Sequence, residues 1–187
     1  MRVYATLSAG ILSLLAFLVV VQQQQQVQHV VSHVPVVDLK YYNKEQLGCL
    51  YQNIYHEARN QPRAGQLAVM YVTLNRVTDH RYPNTICEVV MQGPHQPSWK
   101  SIKKLVPVKH QCQFSWYCDG KSDTLINSAS FGAIKMLVGD VLLGKTQMID
   151  ITDGATHYHA TYVSPSWART ITKTVAIEDH IFYRWEN

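Results

Sequence analysis

Between residues 44 and 78 apolar side chains recur at every third or fourth position, and any fold open to this chain must satisfy that spacing. Leu47, Leu50, Ile54 and Ala58 line one side of a helix predicted over residues 44–59. Asn60 and Pro62 break it, and Leu67, Met70, Leu74 and Val77 repeat the pattern, so two amphipathic helices form a hairpin. Pro83, Asn84 and Thr85 supply a turn and a cap for a short third helix carrying Ile86, Val89 and Val90. A long helix is predicted over residues 124–144. Its apolar side holds Ile126, Phe131, Ile134, Leu137, Val138, Val141 and Leu142, and Gly144 stops it. Two β-prone stretches follow, residues 156–162 and 171–177; in the second, Ile171, Lys173, Val175 and Ile177 alternate with Thr172 and Thr174. Residues 93–110 hold three of the seven prolines and read as a surface loop or an insertion. The fold class is α+β, mainly helical with a small sheet, and without an internal repeat.

Length sets the domain count. At 187 residues, 47% of them hydrophobic, the chain can bury one core, which is placed in residues 41–187. Residues 3–21 carry no charge and, as a helix, would reach roughly 28 Å, close to the thickness of a bilayer's hydrocarbon. Gln22 follows Val19, Val20 and Val21 with no small-residue cleavage site, so residues 1–21 read as a signal anchor rather than a cleaved signal peptide. Arg2 precedes the run and places Met1 in the cytoplasm and the remainder across the membrane. The catalytic part is then exported, anchored and facing the periplasm or wall, or secreted if the segment is removed. Residues 22–40, opening on the glutamine tract 22–26, read as a flexible tether; His29 and His33 are solvated there rather than metal ligands.

The net charge of +4 favours contact with an anionic polymer, which leaves cell wall, membrane surface and nucleic acid. Lys and Arg are scattered, and the one cluster, Lys100, Lys103 and Lys104, reads as a solvated loop, so a nucleic-acid partner is not expected. Cys49, Cys87, Cys112 and Cys118 all follow the apolar run, and an even count in an exported domain suggests disulfides whose pairing spacing does not decide, with buried thiols, Cys49 on its predicted helix above all, as the alternative.

Chemistry concentrates around Glu57. A carboxyl group at a helix end beside Tyr55 and Ala58 is desolvated, which raises its pKa and lets it donate a proton near neutral pH. Spacing alone favours the plainer alternative, an ion pair with Arg59, Arg63 or Arg76.

A resemblance reverses that preference. Cys49, then Ile54-Tyr55-His56-Glu57-Ala58-Arg59, Gly65-Gln66, Val72-Thr73-Leu74-Asn75-Arg76-Val77 and Tyr82-Pro83-Asn84-Thr85-Ile86-Cys87 occur in order. They are followed by Cys112-Gln113-Phe114-Ser115-Trp116, Asp119-Gly120, Gly154-Ala155-Thr156-His157-Tyr158-His159-Ala160, Ser166-Trp167, His180 and Phe182-Tyr183-Arg184. Over residues 47–184 this resembles the SleB family of spore cortex-lytic and cell-wall hydrolases. The resemblance implies a lysozyme-like, mainly helical domain that acts on peptidoglycan glycan strands as a lytic transglycosylase or muramidase. Glu57 stands where the family's Tyr-x-Glu-Ala-Arg motif puts the general acid. Residues 93–110 have no assignable counterpart, and no wall-binding repeat accompanies the domain.

The remaining site expectations follow from residue chemistry. Asp119, Asp123, Asp150, Asp153 and Glu178 are candidates for a second carboxylate, yet no local motif sets any of them opposite Glu57. A single-carboxylate lytic route is therefore favoured, ending in 1,6-anhydro-muramic acid, with hydrolysis by water as the alternative. Gln113, Phe114, Ser115 and Trp116 offer an amide, a hydroxyl and two rings for holding a sugar, although Phe114 and Trp116 equally suit a core. On a strand over residues 156–159, His157 and His159 share one face and Tyr158 takes the other, and the family reading brings Tyr158 to the cleft. A His-x-His zinc site with Glu57 and a non-catalytic wall-binding module are the rival classes. Arg59 and Asn75 read as braces of the helix hairpin, and Trp167 and Trp185 as core or rim. No cofactor, no metal and a monomeric state are expected. The setting is a bacterial envelope enzyme or a phage lysis protein.

Overall fold

The computed structural model describes residues 43–143, 145 and 149–186, all within the unit Pro35–Asn187. The apolar run 3–21, the tether 22–40 and the predicted helix stop at Gly144 lie outside the described residues. Among the described residues no helix is long and apolar enough to cross a membrane.

Helix α1, Lys44–Ala58, starts where the Asn43 side chain accepts the backbone N–H of Gln46 at 3.0 Å. Pro62 then fixes the start of α2, Arg63–Thr78. The link between them is tight: a Cβ on Gly65 would lie 2.8 Å from Cβ of Gln61, so the first turn of α2 approaches this closely only with glycine there. Thr85 accepts from the Glu88 N–H and caps α3, Ile86–Val90, which the Cys49–Cys87 disulfide ties back to α1. The second disulfide joins Cys112 to Cys118, which resolves the pairing that spacing left open.

Most of the core lies among four helices. Leu50 and Ile54 of α1, Val69, Met70 and Leu74 of α2, Ile86 and Val89 of α3, and Ile134 and Val138 of α4, Ser128–Leu142, are all buried together. Each such aliphatic side chain contributes about 1.5–3 kcal/mol relative to exposure. Helix α2 departs from the single apolar stripe predicted for it. Its far side, Ala68 and Val72, is also fully buried, against Ala155 and Phe182 of the sheet layer. Leu67 and Val77 of the predicted stripe are only partly buried. A helix packed on two sides is apolar nearly all round, which blurs the stripe.

Helix α4 begins four residues later than predicted because the Asn127 side chain accepts the Ser130 N–H at 3.0 Å and caps it there. Ile126, expected on its apolar side, precedes the cap and is 91% exposed.

The sheet has three antiparallel strands: β3, His157–Ala160; β4, Thr172–Ile177; and β5, His180–Arg184, in the order β3-β5-β4. The central strand is thus one that alternation did not reveal. It is five residues long and joins β4 through Glu178, whose φ of 50° turns the chain back. Residues 93–110, read as a loop, contain an antiparallel hairpin of β1, His95–Ser98, and β2, Ser101–Pro107.

Candidate active site

The last turn of α1 emerges from the helical core beside β3, and Glu57 stands at that junction. The Tyr158 hydroxyl of β3 donates a 2.8 Å hydrogen bond to Oε2 of Glu57. His180 and Phe182 of β5 hold the tyrosine ring, with centroids at 5.1 and 5.6 Å. Behind this pair lies Arg76 of α2, 4% exposed, which donates from Nε to the Thr156 carbonyl at 2.7 Å and faces the rings of Phe114 and Tyr82.

These neighbours act on the Glu57 proton in opposite senses. Burial raises its pKa above the usual carboxylate range, while the Tyr158 hydrogen bond and the positive charge of Arg76 pull it down. Raised by burial first, the carboxyl is suited to hold a proton and donate it; the hydrogen bond and the cation then stabilise the carboxylate left behind. Tyr158 stays a neutral donor, because burial and the Glu57 charge push its own pKa well up. The arginines that spacing offered as ion-pair partners are otherwise engaged. Arg63 pairs with Asp140 at 3.5 Å, Arg59 lies over the Tyr55 ring at 5.2 Å, and Arg76 bonds Thr156.

A cleft of about 620 Å³ opens over Glu57. One wall is the short 3-10 helix Ser115–Cys118 and the segment after it, where Ser115, Trp116, Asp119 and Asp123 line the space. Trp116 is positioned from inside the core. Its indole N–H donates to Oδ1 of Asn53 at 2.9 Å, and Asn53 donates to Thr73, which donates to the Val69 carbonyl. The indole also stacks on His56, with centroids 4.4 Å apart and planes 16° from parallel. Burial lowers the His56 pKa, so the ring packs neutral against the indole. Tyr162, Val163 and His180 form the opposite side. A second lobe of about 260 Å³ continues past Glu57, between Arg59, Gln61, Asp179 and His180. Glu57 lines both cavities, together with His56, Arg59, Ala160, Tyr162 and His180.

Of the residues predicted for the site, the fold gathers Glu57, Ser115, Trp116 and Tyr158 around one cleft. Phe114 is 2% exposed beneath Arg76 and belongs to the core, and Gln113 is exposed away from the cleft with its backbone N–H on the Gln92 carbonyl. Arg59 faces the cleft rather than bracing the hairpin. Asn75 spans farther than expected, from α2 to the turn at residues 150–155, through Asp150 and the Ala155 carbonyl. His157 packs among rings outside the cleft lining, whereas His159 lines the cleft. Trp167 and Trp185 flank His157, whose pKa falls to about 4 through burial first and then Arg76 and Arg81. His159 bonds the Tyr183 hydroxyl at 2.9 Å. Among the described residues no three His, Cys, Asp or Glu side chains converge as a metal would need. Sequence reasoning missed His56, Tyr162 and His180 on the cleft. His56 was legible as the neighbour of Glu57 and Tyr162 as a residue just past β3, whereas His180 arrives through the β3–β5 pairing.

The model of the cell wall hydrolase family matches residues 60–183. The chain belongs to the cell wall hydrolase family. Glu57 lies just before the matched residues. Two spore cortex-lytic enzymes of Bacillus cereus are 37% identical to this chain over 51 residues, which is 27% of this chain and 20% of each relative. The match thus spans about a fifth of the length of these curated relatives. The fold is similar to two solved structures. The catalytic domain of the germination-specific lytic transglycosylase SleB from Bacillus anthracis superposes with a TM-score of 0.54 at 23% identity, covering 77% of this chain and 98% of that one. The catalytic domain of the Bacillus cereus SleB protein gives 0.53 at 24% identity, covering 76% and 92%. At these identities the likeness is one of fold: a helical body with a small sheet, as in the SleB catalytic domain.

Proposed function

We propose that this member of the family cleaves the glycan strands of peptidoglycan between N-acetylmuramic acid and N-acetylglucosamine, outside the cytoplasm, with Glu57 as the general acid. The observation that carries the reading is a glutamate that lines the cleft, bonded by Tyr158 and with its pKa raised by burial. Cavity on either side of the glutamate leaves room for a glycan strand along the cleft. The lytic transglycosylase named among the solved structures is consistent with it.

In the proposed reaction the protonated Glu57 carboxyl gives its proton to the glycosidic oxygen as the bond to the muramic acid C1 breaks. The carboxylate, held by the Tyr158 hydroxyl, then takes the proton of the muramic acid 6-hydroxyl as that oxygen closes on C1. The chain is left with its starting proton and the product with a 1,6-anhydro ring. Trp116 supplies an apolar ring face for a sugar and Ser115 a hydroxyl, both on the wall next to Glu57.

One observation favours a second reading. Asp119 and Asp123 line the same cleft, so a carboxylate is available to activate water, and the outcome would then be hydrolysis. Mass spectrometry of the fragments released from purified peptidoglycan separates the two. Anhydro-ended muropeptides support the lytic route, reducing ends transfer the assignment to hydrolysis, and no fragments at all would refute glycan cleavage.

A further inference from the structure

The β1–β2 hairpin plays no part in the cleft, and its composition sets it apart from the rest of the chain. Residues 95–110 contain four lysines, Lys100, Lys103, Lys104 and Lys109, and no acidic residue. The chain's net charge is +4, so this one segment accounts for all of it and the remainder is balanced. The hairpin also exposes large apolar side chains beside those lysines. Trp99 at the tip is 89% exposed, Ile102 84% and Leu105 62%, with the Lys100 ammonium 5.0 Å from the Trp99 ring centre.

Both faces of the hairpin are exposed along most of its length, and a two-stranded ribbon in water is marginally stable by itself. Its stem is nevertheless clamped. Val108 donates to the Pro94 carbonyl at 2.9 Å, His110 to the Cys118 carbonyl at 3.0 Å, and the Cys112–Cys118 disulfide closes the loop behind it. The tip is therefore presented on a fixed base.

We propose that this hairpin docks on an anionic phospholipid surface, with Trp99 and Ile102 entering the headgroup layer and Lys100, Lys103 and Lys104 meeting lipid phosphates. Charge complementarity selects an anionic partner, since no acidic side chain in the segment opposes it. The exposed aliphatics select a bilayer over a wall polymer. A glycan or a polyol phosphate offers charge and hydroxyls but no apolar phase for Ile102 and Leu105, whereas the bilayer interface takes aliphatic groups and is the preferred depth for an indole ring. The inference is independent of the glycan-cleaving reading, because the hairpin holds none of the cleft residues.

The test uses the full-length chain and vesicles whose acyl chains are brominated, which quench an indole only on contact. The emission of Trp99 is obtained by subtracting that of Trp99→Phe. Trp99 emission should be quenched on vesicles containing phosphatidylglycerol. The quenching should be lost on pure phosphatidylcholine and in the triple variant Lys100→Gln, Lys103→Gln, Lys104→Gln, with thermal midpoints of all variants equal to the wild type. This readout reports the hairpin alone, however the rest of the chain attaches. Absence of Trp99 quenching on anionic vesicles would overturn the proposal. So would equal quenching on neutral vesicles or in the triple variant, and so would a Trp99 spectral shift obtained with soluble wall polymer and not with vesicles.

Discussion

Replacing both cysteines of one disulfide by alanine should affect stability and activity in opposite proportion for the two bridges. Cys49–Cys87 closes a loop with a sequence separation of 38 and Cys112–Cys118 one of 6. In the chain-entropy treatment the longer loop stabilises the fold by about 4 kcal/mol and the shorter by about 2 kcal/mol. The long bridge joins α1 to α3 inside the helical core, so its loss is felt by the whole domain. The short bridge encloses Ser115 and Trp116, so its loss loosens one wall of the cleft. Urea unfolding followed by tryptophan emission, run without reductant, should place the Cys49→Ala/Cys87→Ala midpoint well below that of Cys112→Ala/Cys118→Ala. Turnover of peptidoglycan under folded conditions should fall more in the second variant. Equal loss of stability in the two, or the reverse order, would refute the assignment of the long bridge to the core.

Tyr158→Phe removes a hydrogen bond that favours the charged form of Glu57, so the Glu57 pKa should rise further. Since the acid works only while protonated, the basic limb of the kcat/KM profile should move to higher pH; movement to lower pH would contradict the role given to Tyr158. Asn53→Ala leaves the Trp116 indole N–H and the Thr73 hydroxyl without their buried partner and should cost about 1–3 kcal/mol of unfolding free energy, with a raised KM as Trp116 loses its anchor. A KM equal to the wild type would remove Trp116 from the substrate site. Asp119→Asn and Asp123→Asn should leave the anhydro-ended products in place under the lytic route; loss of product in either variant would give that carboxylate the water-activating role.

The helical body was legible because its residues pack on one side and keep their period. Leu50 and Ile54 of α1 face a single core and reported it faithfully, while α2 lies between that core and the sheet and lost its stripe. The start of α4 was decided by one side chain, Asn127, acting as a cap, and apolar spacing carries no record of such a competition. Within the site, Glu57 and Tyr158 were legible through the ordered motifs, and Trp116 through its Gln-Phe-Ser-Trp context. The same context misplaced Phe114, since consecutive residues at the entrance to a 3-10 helix point in different directions, and packing against the helical core and Arg76 buries this ring. His180 appeared among the ordered motifs without a role, because its approach to Glu57 depends on the pairing of β3 with β5, a contact between strands far apart in sequence.

The central claim, that Glu57 is the proton donor, meets its most direct test in the rate of fragment release from purified peptidoglycan by Glu57→Gln beside the wild type. Glutamine keeps the size of the side chain and the polar contact to Tyr158 but carries no transferable proton. A general acid contributes on the order of a hundred- to ten-thousandfold, so the variant should fall by at least about a hundredfold while remaining folded and retaining affinity for the wall. Release within a few-fold of the wild type would show that the proton comes from elsewhere in the cleft and would contradict the account.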